Sequence, residues 1–558
     1  MKNLTFSRGD VFGGITAGIV ALPLALAFGV QSGLGAAAGL YGAIILGFFA
    51  AILGGTPSQI SGPTGPMTVV SAATILDFIR VAGSLESAMG AIVACFILAG
   101  ALQILMGVIK IGTLIKYIPY PVISGFMSGI GVIIILLQLF PAMGQRSPAS
   151  TVDVVTTISP ALQDANLWAL GYAALTIAII YIFPKITKAV PSTLVALLAV
   201  TVVSVFVKAD VPVIGDIPKG LPKIFSSELL NISSVLYHEI FTAAVTLAAL
   251  GSIDSLLTSV VADNVTKTKH NSNRELIGQG IGNSIAGLFA GLPGAGATMR
   301  TLVNIRSGGR NRLSGVLHSI TLAVILLGVG QYAALIPNSV LAGVLITVGI
   351  GILDYKGFRH IRKVPRSDAV IMVIVLLVTV FLDLLTAVGI GMVMAAFLFM
   401  KKMSDLSEER SKTAELTSYT NELSWSGEKV PEDWNKKVFV KTIEGPLFFG
   451  FASGFQRLAE QLPGVRFVIL KMENVPFIDQ SGLYALEESI LNLERRGVNV
   501  LITGIQRQPE LMLRKIRLIP ALVAERHVFS NLHVCVEWLN NNIDQTEPAK
   551  DDGIEPSF

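Results

Sequence analysis

One carboxylate lies in the middle of a long apolar segment of this chain. Asp254 falls within the string TAAVTLAALGSIDSLLTSVVADN, and a carboxylate inside an apolar membrane helix is costly enough to be a functional candidate by default. Thr258 follows four residues later, on the same face of a helix. Carboxylate and hydroxyl oxygens, joined by freed backbone carbonyls around Gly296, suit a hard cation such as Na⁺. Two alternatives stay open: a protonatable carboxyl that serves H⁺, and a structural hydrogen bond to a neighbouring helix.

Two other apolar segments are interrupted by Gly and Pro, in GGTPSQISGPTGP (54–66) and GLPGAGAT (291–298). Backbone groups freed at membrane depth must be buried in protein or line a wet cavity. A half-helix that begins there points its unpaired N–H groups and positive dipole end at the cavity, which suits an anion. Small residues can also serve close helix packing alone. The half-helices are predicted to begin at Thr64 and Gly65 and at Ala297 and Thr298.

Neither break contains Lys or Arg. A permanent cation would hold an anion too tightly for release, so backbone dipoles are the predicted anion ligands. Arg300 lies just inside the second half-helix, and we expect it to have a structural role at the cytoplasmic side.

The composition is that of a membrane protein. Of 558 residues, 52% are hydrophobic and 14% are charged, with a mean hydropathy of +0.66, whereas soluble domains are roughly one-quarter charged. The net charge of +4 is small and scattered, which argues against nucleic acid as a partner. Cys95 and Cys535 lie in different regions and therefore define no disulfide framework. The sequence contains no nucleophile-base pair, metal cluster or phosphate loop. The sequence therefore predicts neither an enzyme nor a metal site other than one for Na⁺.

Crossing a bilayer takes roughly 20 apolar residues, or fewer for a half-length helix. On this rule we predict fourteen segments, near residues 11–30, 35–54, 64–79, 87–109, 121–141, 167–183, 190–207, 238–258, 274–291, 298–307, 313–330, 339–353, 368–384 and 386–401. Short loops after even-numbered segments are rich in Lys and Arg, as expected of cytoplasmic loops. Both termini are therefore predicted to be cytoplasmic.

The two breaks occupy corresponding places in the chain. The strings GFFAAILGGTPSQISGPTGPMTV (47–69) and GNSIAGLFAGLPGAGATMRTLV (282–303) both run from a small-residue helix through Gly and Pro to Thr. Seven segments separate them, and an odd number of spans per repeat makes the repeats inverted. We therefore expect a seven-plus-seven inverted repeat, with repeat one at about 11–207 and repeat two at about 238–401 of a transport domain covering 1–402.

Three strings carry a resemblance to a known family: ISGPTGPMTVV (60–70), GSIDSLLTSVVADN (251–264) and NRELIGQGIGN (273–283). They resemble the sulfate permease family, also called solute carrier family 26. The resemblance implies a uracil-permease-like fold, in which a core of segments 1–4 and 8–11 moves against a gate of segments 5–7 and 12–14 in an elevator-like motion. It also implies a homodimer.

Within that family, Asp followed four residues later by Thr resembles the Na⁺-coupled bicarbonate transporters of cyanobacteria. This implies a Na⁺ site at Asp254, Thr258, Gly296 and Thr298, and a bicarbonate site at Thr64, Ala297 and Thr298. The expected function is Na⁺-coupled bicarbonate symport in a bacterial inner membrane, with lipid as the surrounding partner and no organic cofactor. The alternatives are H⁺-coupled symport of sulfate or a dicarboxylate, and an anion exchanger or channel.

The C-terminal region has the composition of a soluble domain. Residues 403–433 are polar and are predicted to be a linker, and 546–558 to be a disordered tail. In 434–545, strands near 438–443, 467–470 and 498–502 alternate with helices near 450–461, 481–496 and 508–516, which is typical of a small α/β sheet.

The string MENVPFIDQSG (472–482) resembles the STAS domain (sulfate transporter and anti-sigma-factor antagonist). Asp479 and Ser481 are the regulatory candidates that this resemblance implies, since Ser481 at a helix N-terminus suits a phosphate. A plain N-cap role for Ser481 is the alternative.

Overall fold

The computed structural model describes residues 7–148, 150–187, 190–215, 224–225, 232, 236–382, 384–411, 413–419, 434, 437–448 and 465–543. It divides into two compact units, Met1–Ala395 and Ala396–Phe558. The predicted tail at 546–558, the predicted helix at 450–461 and much of the predicted linker lie outside the described residues.

The first unit is helical. In chain order its helices are α1 (Arg8–Gln31), α2 (Ala36–Leu53), α3 (Gly65–Ala82), α4 (Leu85–Val108), α5 (Tyr120–Ala142), α6 (Thr151–Gln163), α7 (Leu167–Ile186), α8 (Ser192–Val207), α9 (Tyr237–Thr266), α10 (Ser272–Leu288), α11 (Thr298–Arg306), α12 (Arg312–Val329), α13 (Asn338–Ile352), α14 (Tyr355–His360), α15 (Arg366–Phe381) and α16 (Leu384–Arg410), which continues into the second unit. Short 3-10 turns cover Ile111–Tyr117 and Gly330–Leu335.

A helix lies at each of the fourteen predicted segments. Among the described residues, eight helices are long and apolar enough to cross a membrane, and three shorter apolar helices lie at Ser192–Val207, Arg312–Gly328 and Asn338–Ile352. The number of true spans remains a prediction.

Two described helices of the first unit, α6 and α14, were not predicted, because both are too polar to register as apolar segments. The helix α6 begins at the N-cap Ser150, whose side chain accepts from the Asp153 N–H, and α14 begins at the N-cap Asp354, which accepts from the Gly357 N–H. Both caps satisfy N–H groups that a helix start leaves without an intrahelical partner. Likewise α9 runs past 258 to Thr266, since hydropathy marks the end of the apolar stretch and not the end of the helix.

The helices pack in two sets. The first set comprises α1 to α4 and α9 to α12, and the second comprises α5, α7, α8, α13 and α15. The contacts follow the predicted relation between the two repeats. The contact of α4 with α10 corresponds to the contact of α12 with α2, and the contact of α5 with α15 corresponds to the contact of α13 with α7. We call the two sets the core set and the gate set.

Glycine permits close contact between α4 and α10. A Cβ built on Gly280 of α10 would lie 2.5 Å from the carbonyl oxygen of Gly100 in α4, and one built on Gly100 would lie 2.5 Å from the carbonyl oxygen of Gly280. Any side chain at these positions would force the two backbones apart, which explains the small residues in the string NRELIGQGIGN.

The second unit contains a five-stranded sheet. Its strands are β3 (Thr413–Glu415), β4 (Val438–Glu444), β5 (Phe467–Asn474), β6 (Asn499–Thr503) and β7 (Val528–Phe529), in spatial order β3-β4-β5-β6-β7. The β3–β4 pair is antiparallel and the other pairs are parallel. Helices α17 (Gln480–Glu494), α18 (Arg507–Lys515), α19 (Leu518–Ala521) and α20 (Leu532–Asn542) accompany it.

Two apolar clusters occupy the second unit, one centred on Leu470 and Ile502 and one on Phe467 and Leu501. Because alternate residues of a strand point to opposite faces, both faces of the sheet are covered. The three predicted strands are present, whereas β3, β7, α19 and α20 were not predicted. Within the predicted linker, residues 403–410 complete α16 and Thr413–Glu415 form β3.

Candidate functional site

The two Gly/Pro breaks meet. Residues Ser61–Gly62 form the short strand β1 and Ala295–Gly296 form β2, and the two pair antiparallel with Ser61 opposite Gly296 and Gly62 opposite Ala295. The Ala297 N–H extends the pairing by donating to the Ile60 carbonyl at 2.8 Å. This pairing satisfies backbone groups that lipid could not.

A helix begins directly after each strand. The N-cap residue of α3 is Thr64 and that of α11 is Ala297, and neither helix has a side-chain cap. The first turn of each helix therefore keeps N–H groups without an intrahelical partner, together with the positive end of the helix dipole. Thr64 and Ala297 are buried, whereas Thr298 is partly exposed. The four residues predicted to bind an anion lie at these two helix starts.

Oxygen atoms of three residues of the predicted cation set, Thr258, Gly296 and Thr298, converge beside the same strands. The Thr258 hydroxyl donates to the Gly296 carbonyl at 2.8 Å and lies 2.6 Å from the Thr298 hydroxyl. Asp254, one turn earlier in α9, is buried. Its carboxyl interacts with the Thr64 side chain, although Thr64 Oγ1 and Asp254 Oδ2 have no hydrogen-bond partner of standard geometry. A buried carboxylate oxygen without a hydrogen-bond partner is costly unless a proton or a cation compensates its charge.

A second group of polar side chains holds these atoms, and the sequence analysis missed it. Ser255 accepts from the Gly296 N–H at 3.1 Å, and Ser259 donates to Gln59 Oε1 at 2.9 Å. Glu275 and Gln279 of α10 hydrogen-bond one another at 2.8 Å, and Gln279 also donates to the Ser61 hydroxyl at 2.6 Å. The sequence pattern that could have revealed this group is a polar residue at every fourth position of α10. That spacing places Glu275, Gln279 and Asn283 on one face of the helix.

Arg300 lies beside the first break. It is 1% exposed, and its Nη2 donates to the Pro63 carbonyl at 2.8 Å, while Nε and Nη1 have no hydrogen-bond partner. The breaks themselves contain no Lys or Arg, but the first break has this basic residue next to it. Distance along the chain could not reveal this contact, because it arises only where the two breaks pair.

Asp479 and Ser481 lie where β5 leads into α17. Asp479 is the N-cap, and its Oδ1 accepts from the Gly482 N–H at 2.7 Å. Ser481 follows at the second helical position and is exposed. The alternative in which Ser481 caps this helix is therefore wrong, because Asp479 already satisfies that N–H.

Two family models match the chain. The model described as the sulfate permease family matches residues 8–375, and that of the STAS domain matches residues 433–535. The chain belongs to the sulfate permease family. As a member, it is an integral membrane anion transporter with a C-terminal STAS domain and not an enzyme.

Individual proteins and solved structures are also similar to this chain over most of its length. The bicarbonate transporter BicA of Picosynechococcus sp. is 40% identical over 557 residues, which cover 98% of this chain and 96% of that protein. A solved structure of the transmembrane domain of a cyanobacterium bicarbonate transporter BicA is 44% identical and covers 69% of this chain and 99% of its own, with a TM-score of 0.64. A structure of SLC26A9 is 20% identical, covers 96% of this chain and 90% of its own, and has a TM-score of 0.78. This last likeness supports the fold alone.

Proposed function

We propose that this sulfate permease family member is a Na⁺-coupled bicarbonate symporter. The observation that carries the proposal is the buried Asp254 carboxylate oxygen, which lacks a hydrogen-bond partner. Asp254 lies one turn before Thr258, whose hydroxyl contacts the Gly296 carbonyl and the Thr298 hydroxyl. Its carboxyl interacts with Thr64 at the start of α3, and the strands that precede α3 and α11, two helices without side-chain caps, pair with each other. Oxygen ligands with one negative charge suit Na⁺, and two positive helix ends suit a small anion.

The two ions stabilise each other in this arrangement. Na⁺ at Asp254, Thr258, Gly296 and Thr298 compensates a carboxylate that would otherwise be a buried charge. The cation and the two helix dipoles then attract bicarbonate to Thr64, Gly65, Ala297 and Thr298. Because each ion raises the affinity for the other, binding is reciprocal and the loaded site contains both. Coupled movement of the two ions follows from this linkage.

The proposed movement is elevator-like. Both half-helices and α9 belong to the core set, so the whole site can move as one body against the gate set. Gly65 lies at the boundary, since a Cβ built on it would be 2.6 Å from Ile134 Cδ1 of the gate helix α5. Bicarbonate, in preference to other small anions, is supported by the bicarbonate transporter that is 40% identical to this chain.

A direct test uses the purified protein in proteoliposomes with an inward Na⁺ gradient. We expect uptake of labelled bicarbonate that falls to the background of empty liposomes when choline replaces Na⁺. Equal uptake with and without the gradient would contradict Na⁺ coupling. Sulfate and dicarboxylate uptake driven by a pH gradient would favour the H⁺-coupled alternative, and uptake without either gradient would favour an exchanger or channel.

We propose that the protein acts as a homodimer in a bacterial inner membrane with both termini cytoplasmic, as the basic loops favour. Ser481 is proposed as a regulatory phosphorylation position, since an exposed hydroxyl in the first turn of a helix suits a phosphate.

A further inference from the structure

Gln59 lies in the first break and is buried. Its Nε2 donates to Glu275 Oε1 at 2.8 Å, and its Oε1 accepts from the Ser259 hydroxyl at 2.9 Å. The donor end of the amide thus faces a carboxylate and the acceptor end faces a hydroxyl. These two contacts come from α10 and α9 and fix the orientation of the side chain.

The amide of Gln59 packs directly against Gly296. A Cβ built on Gly296 would lie only 2.3 Å from Gln59 Nε2, so the glutamine occupies the space that a side chain would need. The Gly296 N–H donates to Ser255 and the Gly296 carbonyl accepts from Thr258. Gln59 therefore packs against Gly296 on a side that these two hydrogen bonds do not hold. The carbonyl of Gly296 is a proposed Na⁺ ligand.

Glu275 anchors Gln59 to the rest of the core set. Its carboxylate accepts from the N–H groups of Gly55 and Thr56 at 2.7 and 2.8 Å, and from Gln279 Nε2 at 2.8 Å. Glu275 is buried, and its carboxylate accepts four hydrogen bonds when the one from Gln59 is included. Both carboxylate oxygens are thus hydrogen-bonded, which holds Glu275 in place, and the contacts link the end of α2 with the strand that carries Gly296.

We propose that Gln59 is a positioning residue that sets the Na⁺ affinity of the transporter by holding the Gly296 carbonyl in place. The role rests on the proposed Na⁺ coupling. Side chains that orient metal ligands without touching the metal typically change affinity by about 10- to 100-fold when they are replaced. Gln59 makes its contacts with Gly296, Glu275 and Ser259, so its replacement should weaken Na⁺ binding more than bicarbonate binding.

The test compares Gln59→Met with the wild type and with Gln138→Met. Methionine keeps the approximate volume and removes both hydrogen bonds. Gln138 is a buried glutamine of the gate helix α5, which makes it a matched control. The half-saturating Na⁺ concentration is measured twice, from bicarbonate uptake in proteoliposomes and from Na⁺-induced thermal stabilisation in detergent. The second measurement does not require transport.

For Gln59→Met we expect the half-saturating Na⁺ concentration to rise about tenfold, with the KM for bicarbonate at saturating Na⁺ within about twofold of the wild type. Ser259→Ala, which removes one of the two Gln59 contacts, should give a smaller rise, and Gln138→Met none. A Na⁺ midpoint for Gln59→Met that stays at the wild-type value, while the wild type remains Na⁺-dependent, overturns this role alone. If neither the bicarbonate uptake nor the thermal stability of the wild type depends on Na⁺, the proposed function is overturned as well.

Discussion

At the scale of single residues, the chemistry of the site depends on oxygen atoms that the fold leaves available. Thr258 connects the Gly296 carbonyl to the Thr298 hydroxyl, while Asp254 contributes a carboxylate oxygen that has no hydrogen-bond partner. A carboxylate buried without a compensating charge is costly. The same carboxylate becomes favourable when a cation lies beside it, which is the physical basis of the proposed coupling.

Replacing the carboxylate should therefore uncouple transport. Asp254→Asn keeps the shape and removes the charge, and we expect Na⁺-driven bicarbonate uptake to fall by at least about tenfold and to lose its Na⁺ dependence, because about 1.4 kcal/mol of lost binding corresponds to tenfold. Uptake is measured in proteoliposomes. Full Na⁺-driven activity in this variant would favour an exchanger or channel in which Asp254 is structural.

The Thr258 hydroxyl can be tested with a matched pair of substitutions. Thr258→Val removes the oxygen at nearly constant volume and leaves the Gly296 carbonyl without its donor, whereas Thr258→Ser keeps the oxygen. We expect the half-saturating Na⁺ concentration to rise by about tenfold in the valine variant and to change little in the serine variant. Similar midpoints in both variants would exclude Thr258 as a ligand.

At the scale of elements, the site is built from two strands of two residues each and the helices that follow them. The close approach of these strands requires glycine. A Cβ built on Gly294 would lie 2.1 Å from the Gly62 carbonyl oxygen, and the Gly294 peptide also exchanges two hydrogen bonds with Asn283. A side chain at this position would force the first break away from the second.

Gly294→Ala should therefore destabilise the protein and abolish transport. The clash is with backbone and cannot be relieved by a rotamer change, so we expect a loss of about 3 kcal/mol, visible as a lower midpoint of thermal unfolding in detergent. Gly351→Ala in α13 is the control, since a Cβ there meets nothing within 4 Å. It should be neutral or slightly stabilising, and a similar loss in both variants would contradict this explanation.

A pH effect is expected in the C-terminal unit. His527 is buried and packs edge-on against Trp538 with ring centroids 5.1 Å apart, and burial together with Arg526 lowers the pKa of its imidazole from 6.5 to about 4. The folded state thus favours the neutral ring. Stability should be unaffected above about pH 7 and should decrease as the pH falls from 6.5 towards 4.

The fluorescence of Trp538, in a variant whose other tryptophans are replaced by phenylalanine, reports this unfolding locally. His527→Phe should remove the pH dependence between 6.5 and 4. The same acid sensitivity in the phenylalanine variant would assign the effect to another group.

At the scale of the whole molecule, the proposed transport cycle requires the core set to move past the gate set. The boundary between them passes Gly65, which belongs to a predicted anion-binding helix start and lies against Ile134 of α5. A small residue at this point lets the site approach the gate closely. Added volume should therefore hinder movement as well as binding.

Paired substitutions test this boundary. Gly65→Ala places a methyl group 2.6 Å from Ile134 Cδ1, and we expect initial rates of bicarbonate uptake to fall several-fold. Ile134→Val deletes that atom at a cost of about 0.5–1.5 kcal/mol and should partly restore the rate in the double variant. If the two effects are simply additive, the contact does not limit transport.

The sequence alone determined the features that depend on neighbouring residues. Apolar stretches, Gly/Pro breaks and the Asp254–Thr258 spacing follow from local periodicity, and a helix lies at every predicted segment. Hydropathy could not find α6 and α14, because side-chain caps, and not apolar length, define where those helices begin. Similarly, an Asp two residues before Ser481 did not by itself reveal which side chain caps α17.

Tertiary structure decided which distant residues share the site. Gln59 and Glu275 are 216 positions apart and yet lie within hydrogen-bond distance, and Arg300 reaches the first break only because β1 and β2 pair. These contacts depend on how closely the two repeats can pack, which is set by glycines whose partners lie in the other half of the chain. Local periodicity contains no information on that distance. The sequence therefore predicted the atoms that would bind the ions, while the fold selected the residues that hold them in place.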